Sequence, residues 1–254
     1  MSRPAVVAVA LVIVVVLVLL ALVAGAIARG GGRAGADANP SPTQHSATPA
    51  VPSAPAASAT AGPPATLVEL IGRLAVAPEH RAGYDRDLFE HWIDADGDGC
   101  NTRHEVLIDE SVAPLEVDSN CWITGGRWVS AYDGFVTTDI GEVQIDHVVA
   151  LAEAWRSGAY DWTPARREAF ANDLGVPWTL AAVSGPSNEA KADLEPGEWL
   201  PPLESARCPF LVHWVAIKVR WQLSVDRVEQ ASLLDLAGGC GAEPVPSIPA
   251  PASP

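Results

Sequence analysis

Asp146 and His147 stand side by side at the end of the apolar run Val143-Gln144-Ile145, and further along the chain reads Ser187-Asn188-Glu189-Ala190-Lys191-Ala192-Asp193. A carboxylate beside an imidazole at a strand end can hold a hard divalent ion and deprotonate a water. An Asn arriving on a following helix can complete the ion's oxygen shell. Lys191, one helical turn beyond Asn188, can meet a phosphate oxygen, and Asp193 can orient it. An imidazole titrating near ~6.5 suits His147 to the role of general base. These residue types serve phosphodiester hydrolysis, where an ion stabilises charge developing on phosphate and leaving oxygen while a base supplies hydroxide. A serine or cysteine hydrolase lacks a nucleophile motif here.

The elements that must position these groups are legible in outline. Ile145-Asp146-His147-Val148-Val149-Ala150-Leu151 reads as strand, turn, then helix. Arg127-Trp128-Val129 and Val143-Gln144-Ile145 are strand candidates around the turn-prone Tyr132-Asp133-Gly134. Thr163-Pro164 predicts an N-cap and first residue of a helix running to about Asn172. Leu67, Leu70, Ile71 and Leu74 have the spacing of an amphipathic opening helix, and residues 210–223 read as a long helix whose His213 and Lys218 are surface decoration.

This combination resembles the HNH endonucleases. Phe170-Ala171-Asn172-Asp173-Leu174, Leu180-Ala181-Ala182-Val183 and Glu198-Trp199-Leu200-Pro201-Pro202 are similar to one branch, found in secreted actinobacterial proteins and in modification-dependent restriction enzymes. The likeness runs roughly from Tyr84 to Cys240. It implies an α+β fold, a small ββα-metal core of a short hairpin and a helix embedded in a mostly helical domain. It implies His147 as general base, and Asp146 and Asn188 as ligands of magnesium or manganese, with Lys191 beside them. Three departures stand out. Thr179 or Trp178 takes the place of the central Asn that braces the loop holding the His. Ala150 stands where a Pro often follows the Asp-His turn, and Glu189-Ala190 replaces a basic-plus-Gly pair.

A second motif, Asp94-Ala95-Asp96-Gly97-Asp98-Gly99-Cys100-Asn101-Thr102-Arg103-His104-Glu105, fits the calcium-loop pattern D-x-[DN]-x-[DN]-G-x₅-E. Asp94, Asp96 and Asp98 converge when the chain curls around an ion, Gly99 permits the turn, and Glu105 closes the shell from the next helix. Asn101 sits where an aliphatic residue is usual, and no second loop pairs with it. A rigid acidic turn pinned by Cys100, or a contribution to the nuclease site, are the other readings.

Residues 5–28 form an apolar run, with Arg3 before it and Arg29 and Arg33 after. Its length matches the ~20 residues that span a bilayer, so residues 1–29 are expected to be a signal anchor, or a long signal peptide cleaved after Ala26-Ile27-Ala28. Basic residues on both flanks leave the orientation undecided by charge. Residues 30–64 are a disordered Pro/Ala/Ser linker with a reach on the order of 100 Å. Residues 65–242 are the nuclease-like domain, and residues 243–254 a Pro-rich disordered tail.

Cys100, Cys121, Cys208 and Cys240 make an even set behind an export signal, with no Cys-x-x-Cys zinc knuckle, which points to two disulfides in an oxidising compartment. Of the three pairings, the sequence-local Cys100–Cys121 and Cys208–Cys240 is preferred. The charge runs against nucleic-acid binding: 31 Asp and Glu face 16 Lys and Arg, for a net −15. Arg156, Arg166 and Arg167 are candidates for a compensating basic strip near His147, or are ordinary solvated charges.

The reading is a metal-dependent HNH-type endonuclease acting on nucleic acid, DNA ahead of RNA, outside the cytoplasm. It is membrane-held through its N-terminal helix or secreted, with no protein partner expected. The alternative is a catalytically weakened, calcium-stabilised extracellular binding domain on a nuclease fold.

Overall fold

A computed structural model describes residues 66–241 and 245–251. The apolar run 5–28 and the linker 30–64 lie outside them. Among the described residues no helix is long and apolar enough to cross a membrane.

The chain opens with α1 (Leu67–Ile71), started by a reciprocal capping box between Thr66 and Glu69. A loop of residues 72–101 leads to α2 (Thr102–Asp109), capped by Asn101. Two short antiparallel ladders follow, β1 (Leu115–Val117) with β2 (Ile123–Gly125), then β3 (Trp128–Val129) with β4 (Val136–Thr137). Next come β5 (Val143–His147), α3 (Leu151–Arg156), α4 (Pro164–Ala171), β6 (Leu180–Ser184) and α5 (Gly185–Lys191). Helices α6 (Glu204–Trp221) and α7 (Arg227–Ala237) complete the domain. The architecture is a mixed α+β one with small two-stranded sheets among helices.

The partner of β5 differs from the one its neighbourhood suggests. The turn at Tyr132-Asp133-Gly134 joins β3 to β4, whereas β5 pairs with β6, bringing Asp146 opposite Ala181 and His147 opposite Leu180. The central hairpin therefore carries residues 148–179, with α3 and α4, between its strands. α5 follows β6 without a break because the Ser184 hydroxyl caps it, accepting from Ser187 N.

Two apolar clusters hold this hairpin. Val143, Ile145, Leu180 and Ala182 pack with Val106, Leu107 and Trp128, while Ala181 and Val183 face the main core built on α1, α6 and α7. Each buried branched side chain contributes about 1.5–3 kcal/mol. A one-residue slip would exchange the two faces, so burial on both sides pins the register and with it the place of Asp146.

Both disulfides form, Cys100–Cys121 and Cys208–Cys240, as the preferred pairing had it. They close loops of 21 and 32 residues, each worth about 3 kcal/mol in the chain-entropy picture. The tail differs from its expected disorder in one respect: Val245 and Ile248 pack against the main core, and Arg220 donates to the Pro249 carbonyl.

Lys218 is not surface decoration. It is fully buried in α6, 2.7 Å from Glu153 Oε1 and 2.6 Å from Glu229. From Phe210 onward helix α6 is apolar around most of its circumference, so Lys218 has no solvent side to occupy. His213 is partly buried and stacks against Trp178, with ring centroids 6.1 Å apart.

Candidate active site

The site forms where the end of β5 meets α5. Strand alternation puts Gln144 and Asp146 on one face, and Asn188 and Lys191, three apart, share one face of α5. Two cross-links result. Asn188 Nδ2 donates to Gln144 Oε1 at 2.7 Å, and Lys191 Nζ lies 2.8 Å from Asp146 Oδ2 while donating to the His147 carbonyl at 3.0 Å. Tyr132 completes the set, its hydroxyl donating to Asp146 Oδ2 at 2.6 Å. Burial and the Asp146 charge hold the Tyr132 hydroxyl protonated, with its pKa well above the usual phenol value.

Lys191 thus differs from its expected place. It is 0 % exposed, its ammonium engaged with Asp146 and the strand carbonyl rather than free to meet a phosphate. Asp193 does not orient it; that carboxylate pairs with Arg156 at 2.6 Å. Glu189 is exposed on the turn of α5 between Asn188 and Lys191.

His147 is buried, and its Nε2 lies 2.8 Å from the Ala171 carbonyl. A carbonyl only accepts, so this contact assigns the proton to Nε2 and leaves Nδ1 with its lone pair. Burial pushes the imidazolium pKa down to about 3, against the pull of the Ala171 carbonyl, and the charges of Arg86, His91 and Lys191 act in the same direction as burial. The imidazole is therefore neutral across the physiological range and a weaker base than the ~6.5 expected from the sequence, because burial disfavours its charged form. Trp92 and His91 flank it, with ring centroids 5.4 and 6.4 Å away.

Neither Trp178 nor Thr179 braces His147 through its side chain. The Thr179 hydroxyl donates to the Asp173 carbonyl, and only the Thr179 backbone carbonyl receives Val148 N, at 3.1 Å. The brace is the end of α4. Asn172, beside Ala171, donates to Glu90 O at 2.7 Å and accepts from Ile93 N and the Thr102 hydroxyl. It ties the segment carrying His91 and Trp92 to the helix end that holds His147.

Asp146, His147 and Asn188 line one open cleft of about 570 Å³, together with Arg81, Arg86 and Arg156. The basic strip is composed differently from the candidates named above. Arg156 lines the cleft but is paired with Glu79, Glu153 and Asp193. Arg166 lies over the Trp162 ring and donates to Trp221 O, and Arg167 is buried, donating to Leu88 O and Trp162 O.

The donor set suits a hard divalent ion. Tyr132 and Lys191 both occupy Oδ2 of Asp146, leaving Oδ1 without a protein partner, and the Gln144 contact turns the Asn188 amide so that its Oδ1 is free. Two oxygen ligands in an open cleft fit an ion that retains several waters, as magnesium does.

The acidic loop lies apart, before α2. Carboxylate oxygens of Asp94, Asp96 and Asp98 lie within 4.8 Å of one another, and Asp98 and Glu105 are similarly close. Backbone donors hold the curl: Gly97 N and Gly99 N reach Asp94, and Cys100 N reaches Asp98 at 2.7 Å. Burial first, then the charges of Asp98 and Asp96, raise the Glu105 pKa.

Antiparallel strands followed directly by a helix, with Asp-His on the first strand and Asn on the helix, define a ββα nuclease-type arrangement. Residues 115–236 match the family described as GmrSD restriction endonucleases, C-terminal domain. An uncharacterized secreted protein of Arthroderma benhamiae is 42% identical over 176 residues, covering 69% of this chain and 85% of that relative. No solved structure matches. The chain belongs to this HNH-type nuclease family.

Proposed function

We propose that the protein is a metal-dependent HNH-type endonuclease that hydrolyses nucleic-acid phosphodiesters, DNA ahead of RNA, outside the cytoplasm. The observation that carries the reading is the shared cleft, in which His147 presents a free Nδ1 and Asp146 and Asn188 each keep one oxygen unclaimed. Asp146 and Asn188 would hold magnesium or manganese, which when bound supplies electrostatic stabilisation of the phosphate and leaving oxygen.

His147 takes a proton from water at Nδ1 while Nε2 stays fixed to Ala171 O. The charge it gains is disfavoured by burial, and the anionic phosphate entering the cleft offsets that cost. Lys191 and Tyr132 act as positioning residues, holding the Asp146 carboxylate at Oδ2 so that Oδ1 faces its task. The export reading rests on the two disulfides, the apolar run 5–28 and the secreted relative. We further assign calcium to the loop of Asp94, Asp96, Asp98 and Glu105, where it relieves carboxylate repulsion and stiffens the approach to α2.

The test is nicking of supercoiled plasmid by the purified protein at low ionic strength. Magnesium or manganese supports cleavage and EDTA abolishes it, while Asp146→Ala and Asn188→Ala shift the metal dependence to higher concentration. Cleavage that persists in EDTA overturns the reading.

A further inference from the structure

Arg86 lies outside the stretch 115–236 that matches the family, yet it lines the cleft with Asp146, His147 and Asn188. Every other arginine of that cleft is paired with acid: Arg81 with Glu79, and Arg156 with Glu79, Glu153 and Asp193. Among the described residues no carboxylate comes within 4.0 Å of the Arg86 guanidinium. Its polar partner is His91, whose Nε2 lies 3.3 Å from Arg86 Nη2.

The chemistry of that partner matters. His91 Nδ1 sits 2.8 Å from the Phe89 carbonyl, which assigns the ring proton to Nδ1 and makes Nε2 an acceptor for the guanidinium. A neutral imidazole holds the arginine without cancelling its charge. In a chain of net −15, where Asp85, Asp87 and Glu90 lie close in sequence, an uncancelled cation lining the cleft is what a polyanionic substrate needs. Only one of the five guanidinium N–H groups is engaged, so a fork remains for bidentate contact with phosphate oxygens.

We propose that Arg86, held by His91, grips a phosphate of the nucleic-acid substrate at the cleft, with His91 as its positioning residue. The choice of phosphodiester as the anion rests on the nuclease reading; the anion site itself does not. The grip is a point of electrostatic entry on a surface that otherwise repels polyanions, and it confers affinity without sequence preference.

Binding of a short fluorescent single-stranded oligonucleotide to the purified protein in EDTA, followed by anisotropy across a salt series, tests it. Arg86→Ala weakens binding about tenfold and lowers the slope of log affinity against log salt by about 0.7, the loss of one phosphate contact. Its melting curve is unchanged, because the arginine is exposed. His91→Glu reproduces the defect with Arg86 still present, since a carboxylate cancels the charge, and His91→Gln, a neutral acceptor, keeps near wild-type affinity. Wild-type affinity and slope in Arg86→Ala overturn the proposal, as does a wild-type protein that binds no oligonucleotide. Wild-type behaviour in His91→Glu overturns the role of His91. Plasmid cleavage with magnesium in parallel separates the two claims. Cleavage with an unaltered KM in Arg86→Ala rejects the grip and leaves the nuclease. Salt-sensitive binding through Arg86 without any cleavage rejects the nuclease and leaves the grip.

Discussion

Lys191 Nζ reaches from α5 to within 2.8 Å of Asp146 Oδ2, and its side chain is fully buried. The pair joins the helix to the strand at the point where the site is assembled. Breaking a buried pair from one side leaves an uncompensated charge, which costs about 3–5 kcal/mol. Lys191→Met is therefore expected to lower the urea midpoint by a matching amount. Tyr132→Phe, which removes one hydrogen bond to the same oxygen, costs less, about 1–3 kcal/mol. Equal stability of Lys191→Met and wild type would show that Asp146 finds another partner.

Lys218 ties three helices together. It lies between Glu153 on α3 and Glu229 on α7, and Trp214 Nε1 donates to Glu229 at 2.7 Å. Burial drives the Glu229 pKa up to about 7 against the pull of Lys218. Lys218→Met leaves two carboxylates together in the core. Its melting temperature is expected to fall well below wild type at pH 8 and to recover part of the gap at pH 5, where one carboxyl is protonated. A deficit independent of pH contradicts the charge argument and leaves only packing.

The outline of the site was readable in the sequence, and its wiring was not. Asp146-His147 closing an apolar run marked a strand end, and Thr163-Pro164 marked the start of α4, because caps and period-2 patterns are local. The partner strand of β5 was hidden since 148–179 intervene, and pairing over that distance leaves no local signature. Tyr132 read as part of a turn, which it is, so nothing marked its hydroxyl as an Asp146 donor. Lys218 read as surface decoration because lysine is usually exposed, and Lys191 as a free phosphate contact; only the partners brought by other elements explain their burial. Pro209 made α6 look as if it began later than Glu204.

Glu110 gives a pH signature independent of the catalytic groups. Burial raises its carboxyl pKa to about 7, opposed by the 3.0 Å hydrogen bond from Ala182 N. A raised folded pKa means that the native state holds the proton more tightly than the unfolded chain. The contribution is full below the ordinary carboxyl value of 4.5 and is lost as pH rises through about 7. Glu110→Gln keeps an acceptor for Ala182 N and removes the ionisation. It is expected to melt several degrees above wild type at pH 8 and close to it at pH 4.5; the reverse order would refute the assignment.

Calcium at the acidic loop is expected to act by mass action on the native state. Millimolar calcium raises the melting temperature of wild type, and Asp96→Ala combined with Glu105→Gln abolishes the gain. A melting curve unchanged up to about 10 mM calcium, above the range of weak extracellular modules, makes the loop a turn and no more.

The most direct test is the cleavage rate of His147→Ala against wild type, with magnesium at low ionic strength and with the fold checked by circular dichroism. Removing a general base costs at least about 100-fold, so the variant is expected to lose that much in kcat while its KM stays near wild type. A folded His147→Ala that cleaves at the wild-type rate contradicts the account.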